Sequence, residues 1–225
     1  MDKIRQYLLS QQDIKYRNFT LPLIQNIDED TFIGVRLPII KKYAKDLDEQ
    51  SREEFLKSLP HFYHEENILH AFILSNIKNY DEFVKQVDAF IPYITNWSVC
   101  DTICNKHLYK YKDRLVQDVY EWLKSKEIYR VRYAVKCLMN YFLDEDFSEE
   151  HIRRVREVKL TDYYVEMMVA WYLATGLAKK YDYFIKPIEE RWFSASIHNK
   201  AIQKAVESFR VSEEHKQYLK TLKAK

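Results

Sequence analysis

Glycine occurs only twice in the 225 residues, at Gly34 and Gly176, against a usual share of about 7%. A Walker or Rossmann phosphate loop needs several glycines within a few residues, so neither can be built here. Tight β-hairpin turns also consume glycine, which argues against an all-β fold. With only five prolines, the chain is poor in residues that break helices. The expected class is all-α.

Apolar stripes at helical spacing support that class along nearly the whole length. Ile39, Ile40, Tyr43, Ala44 and Leu47 form one behind Pro38, a good helix-opening residue. Others are Phe83, Val87, Phe90 and Ile91, then Leu115, Val119, Trp122 and Leu123, then Val131 through Phe142. Ser51 with Glu54 three residues later predicts a capping box at the start of a short helix. The run from Tyr164 to Leu177 is almost wholly apolar, which predicts a central, buried helix. Short helices, brief polar joints and no strand signal together predict a curved α-solenoid of HEAT-like antiparallel helix pairs, with a globular bundle of longer helices as the alternative. No linker or low-complexity tract interrupts it, so residues 1–225 read as a single domain.

Three cysteines do not make a disulfide framework. No apolar run approaches a membrane span, and Met1-Asp2-Lys3-Ile4-Arg5 lacks a signal-peptide core. A cytoplasmic, monomeric protein away from membranes is expected. The net charge of +2 names no partner by itself. Its distribution says more, because residues 197–225 hold seven Lys or Arg against three Glu.

Few residues invite chemistry. Trp97 and Asp101 are four apart, so on a helix they share a face. An aromatic plate beside a carboxylate stabilises cations, although a core tryptophan with a capping aspartate has the same spacing. Arg132 interrupts an apolar helix, where it can pair with a buried carboxylate or face an anionic ligand. Trp171 stands on the most apolar segment, where a core role competes with a site role. Cys100, Cys104 and His107 have helical ligand spacing but supply only three ligands, and no metal or cofactor is expected. His61, His64, Glu65 and Glu66 read as a solvated turn. Lys200 and Lys204 share a helical face with Gln203 beside them, and Arg210 follows, a pattern suited to phosphate contacts or to an ordinary solvated helix.

These segments, with Gly34-Val35-Arg36-Leu37-Pro38 and the run from His198 to Lys204, resemble the AlkD family of HEAT-repeat alkylpurine DNA glycosylases. The resemblance spans about residues 16 to 220 and implies a concave basic face that cups duplex DNA. It implies that Asp101, Trp97 and Trp171 occupy catalytic cleft positions and that Arg132 is the cleft arginine. The implied reaction is hydrolysis of the N-glycosidic bond of cationic N3- or N7-alkylpurines. One departure stands out. Active members carry a tyrosine upstream of the glycine motif, whereas Leu23-Ile24-Gln25-Asn26-Ile27 holds no aromatic. Tyr16 and Phe19 lie further upstream, and the chain therefore reads as a compact branch lacking that tyrosine. Two further functions stay open: a non-catalytic DNA-binding relative, and a HEAT scaffold that takes a protein partner.

Overall fold

The computed structural model describes residues 2–24 and 26–224. It is 71% helix, as the periodic stripes lead one to expect, and no strand occurs among the described residues. The chain divides into two compact units, Met1–Tyr111 and Lys112–Lys225. The first holds α1 (Asp2–Ser10), α2 (Ile14–Thr20), α3 (Leu37–Asp46), α4 (Glu49–Leu56), α5 (His64–Leu74), α6 (Tyr80–Phe90) and α7 (Trp97–Thr102). The second holds α8 (Lys112–Trp122), α9 (Ile128–Tyr141), α10 (Glu149–Arg156), α11 (Tyr163–Lys179), α12 (Tyr181–Glu189), α13 (Ala195–Glu207) and α14 (Glu213–Thr221).

Each unit stacks alternate helices. In the first, α5 packs on α3 and α7, with α4 and α6 against its flank. In the second, α11 packs on α9 and α13 and also meets α12. This every-second-helix ladder is how two-layer helical repeats bury a continuous core. The apolar run predicted to be central is α11, which buries Val165, Met168, Val169, Tyr172 and Leu173 among others.

With almost no glycine, helix boundaries depend on side-chain N-caps. Asp13, Asp48, Asn79, Asn96, Ser148, Asp162, Ser194 and Ser212 each accept a hydrogen bond from an amide in the first turn that follows. Asp48 displaces Ser51 from its expected capping role. The Asp48 carboxylate accepts from the Ser51 amide at 2.7 Å and its hydroxyl at 2.8 Å, so α4 starts earlier than the capping-box pattern predicts. Gly176 serves close packing. A Cβ there would lie 2.3 Å from the buried Phe184 ring, so only glycine lets α12 approach α11 this closely.

Candidate functional site

The other glycine organises the first unit. Gly34 has φ +91°, and a Cβ on it would sit 2.4 Å from the Cβ of Arg17 on α2. Both facts demand glycine. The Gly34 carbonyl accepts from the Asp13 amide at 3.0 Å, and the Phe32 carbonyl accepts from Arg17 Nε at 2.9 Å, which fastens α2 to this segment. The same backbone twist turns three successive amides inward. Ile33, Gly34 and Val35 donate to the Glu65 carboxylate at 3.0, 2.6 and 3.3 Å. Glu65 is 1% exposed. Burial holds its carboxyl above the usual range, and the three amides that point at it as a nest of N–H groups oppose that rise. Beside it, buried Glu66 accepts a two-point contact from Arg5 and the amides of Phe62 and Tyr63.

Asn96 caps α7, accepting from the amides of Ser98 and Val99. Val99 and Cys100 face the core. Trp97, Ser98 and Thr102 line a cavity of about 210 Å³, joined by Tyr16 from α2, by Phe32, Val35 and Leu37, and by His64 and Glu65 from α5. At about 100° per residue, Asp101 lies on the helical arc between Trp97 and Thr102. It is half-buried, as is Trp97. Desolvation lowers the His64 pKa to about 4, and its ring reaches Ser98 Oγ at 3.3 Å and Asn96 Nδ2 at 3.4 Å. The cavity therefore has aromatic and aliphatic walls, a neutral imidazole and one carboxylate whose charge three backbone amides already hold.

Two further buried histidines pair nearby, His61 just before α5 and His70 on it. His61 Nε2 and His70 Nδ1 are 2.9 Å apart, with Phe55 stacked on His61 and Phe90 on His70. Burial lowers His61 to about 4, with Glu66 opposing and Arg5 reinforcing the shift, and burial drives His70 well below its usual range. Unfolding lets all three histidines take up protons below pH 6.5. Their contribution is complete above that pH and falls as pH drops from 6.5 toward 4, by up to about 1.4 kcal/mol per pH unit for each. Glu65, raised by burial, works in the opposite sense near and above pH 4.5. Urea unfolding midpoints should therefore drop clearly between pH 7 and pH 5, and an unchanged midpoint would contradict the neutral buried state.

The second unit gathers Trp171, Lys204 and Arg210 around a cavity of about 300 Å³ that Glu207 and Ser208 also line. Trp171 is 43% exposed on a helix whose opposite side is core. Lys200, one turn before Lys204 on α13, is half-buried and outside that lining. Arg132 is 5% exposed, and its Nη1 donates to the Tyr164 carbonyl at 2.6 Å.

The sequence model of the DNA alkylation repair enzyme family matches residues 10–152. The chain belongs to this family. None of the curated proteins matches it. The match contains Tyr16, the Gly34 motif, Glu65, Trp97, Asp101 and Arg132, and ends before Trp171, Lys200, Lys204 and Arg210.

In this DNA alkylation repair chain, three sequence readings give way to the fold. Glu65, Glu66 and His64 are not a solvated turn but the buried first turn of α5, because backbone amides and Arg5 compensate their burial. Cys104 and His107 do not continue the face of Cys100, because α7 ends at Thr102. Tyr16, eighteen residues before Gly34, is brought to the cavity because the Phe32 and Gly34 carbonyls accept from Arg17 and Asp13 and so hold that segment against α2. The signal that sequence reasoning misses is the paired Glu65-Glu66, whose carboxylates satisfy buried amides. Within the basic tail, Lys225 lies outside the described residues, as does Gln25 in the stretch that lacks an aromatic.

Proposed function

We propose that this DNA alkylation repair chain binds duplex DNA carrying cationic N3- or N7-alkylpurines and hydrolyses their N-glycosidic bond. The observation that carries this reading is the cavity that Tyr16 and Trp97 both line, with Asp101 one turn after Trp97 on α7, outside that lining. Alkylation places positive charge on the purine, which then leaves without a general acid or a cofactor. Aromatic faces attract such a cation, each worth about 0.5–2 kcal/mol depending on desolvation. The neutral His64 adds no opposing charge. The developing sugar cation needs a fixed negative charge and an oriented water, and Asp101 is the residue suited to both. Tyr16 takes the place of the upstream tyrosine that the residue order alone does not supply.

In the second unit, Trp171, Lys204 and Arg210 line one cavity, and this reading assigns them, with Lys200, to DNA contacts, the three cations to phosphates. Arg132, almost fully buried and donating to the Tyr164 carbonyl, ties α9 to the start of α11. The reading includes a cytoplasmic monomer built as a HEAT-like solenoid.

Two measurements test it. Incubation with duplex containing N7-methylguanine should release the free base. Duplex binding should weaken with salt at a slope of about −2.7 in log K against log salt, from three contacts at about −0.9 each. Replacing Lys200 and Lys204 together by Ala should flatten that slope by up to about two. Salt-insensitive binding would favour a protein partner, and binding without base release would favour a non-catalytic relative.

A further inference from the structure

Phe209 is the most exposed large apolar side chain among the described residues, and none of its surface is covered. The segment that carries it is held in place. The Ser208 amide donates to the Ala205 carbonyl at 3.1 Å, and the Arg210 amide donates to Ser208 Oγ at 3.2 Å. Val211 is buried, and Ser212 caps α14 by accepting from the His215 amide. A pinned loop with its aromatic ring in water leaves the ring's apolar surface without a partner inside the unit. The residues on either side, Ser208 and Arg210, line the same cavity as Trp171 and Lys204. Neither Lys204 nor Arg210 has an ion-pair partner among the described residues. The one carboxylate in that lining, Glu207, accepts from Gln203 Nε2 at 2.9 Å.

We propose that Phe209 is a stacking finger for a base left open at a break in duplex DNA, with Arg210 and Lys204 on the flanking phosphates. The inference rests on the DNA-binding reading above and adds a residue outside the matched segment. A lone ring with open sides forms no pocket for an apolar side chain, which disfavours a peptide. Two unpaired cations beside it suit a polyanion. A base presents an open π-face, and aromatic stacking on it needs no particular sequence. In the interior of an intact duplex every such face is covered, and opening a step costs a few kcal/mol. A one-nucleotide gap exposes two faces without that cost.

The test uses the full-length protein and 20-base-pair duplexes, intact or with a one-nucleotide gap flanked by 2-aminopurine. Wild type should bind the gapped duplex more tightly and quench the 2-aminopurine. Phe209→Ala should lose the quenching and bind the gapped duplex about five- to a hundredfold more weakly, with an unchanged salt slope. Phe209→Trp should retain both properties. Arg210→Ala should flatten the salt slope by about one on both duplexes. Equal wild-type affinity for the two duplexes overturns the proposal while leaving duplex binding intact. So does gap preference retained by Phe209→Ala. Absence of binding to either duplex overturns the DNA-binding reading and this inference with it.

Discussion

Asp101→Asn is expected to slow release of N7-methylguanine by on the order of 10²–10³, about 2.7–4 kcal/mol of transition-state stabilisation. The substitution keeps size and shape and removes only the charge. Its position makes that selective. Asp101 shares the arc of α7 that carries Trp97, Ser98 and Thr102 to the cavity, while Val99 and Cys100 hold the helix to the core. The sugar becomes cationic only as the glycosidic bond breaks, so the missing charge is felt mainly in the transition state. Duplex affinity should hold or rise slightly, because a carboxylate near phosphates repels them. A purely structural aspartate would give a different pattern, with lowered melting temperature and affinity and no separate effect on rate. Single-turnover base release, read beside a melting curve, separates the two. Equal release by wild type and variant would remove Asp101 from the chemistry.

The Trp97–Asp101 relation was legible because it is local, since four residues on a helix fix a shared face whatever the tertiary context. The helical class was equally legible, because the stripes and the scarcity of glycine depend on neighbours in sequence. Tyr16 was not. Its distance from Gly34 in the chain hides that Arg17, its neighbour, packs against Gly34 and hydrogen-bonds the Phe32 carbonyl. Glu65 was misread for the opposite reason. Two adjacent glutamates near histidines look solvated from composition, and only a partner segment thirty residues away supplies the amides that make burial tolerable. What pattern reasoning loses is the long-range satisfaction of polar groups, and here that satisfaction shapes the cavity.

Glu65→Ala should therefore have the largest effect on stability, about 3–5 kcal/mol. The side chain accepts from three consecutive buried amides. Removing it leaves those donors without a partner, each at about 1–3 kcal/mol, offset in part because a buried carboxylate no longer has to be desolvated. Glu65→Gln should fall between Ala and wild type. Its amide retains one acceptor oxygen but turns an N–H₂ group toward an amide that is itself a donor. The exposed Glu49 in the first turn of α4 provides a control, and Glu49→Ala should shift stability by less than about 0.5 kcal/mol. Urea unfolding reads all three. The Glu65 loss should persist in high salt, because short hydrogen bonds in a buried nest are poorly screened. Functionally, the variant should loosen the segment from Ile33 to Leu37, whose Val35 and Leu37 line the cavity together with Trp97. Base release would then fall even at temperatures where the protein remains folded. A Glu65→Ala protein as stable as wild type would show that the nest does not hold this wall, and the cavity's shape would need another source.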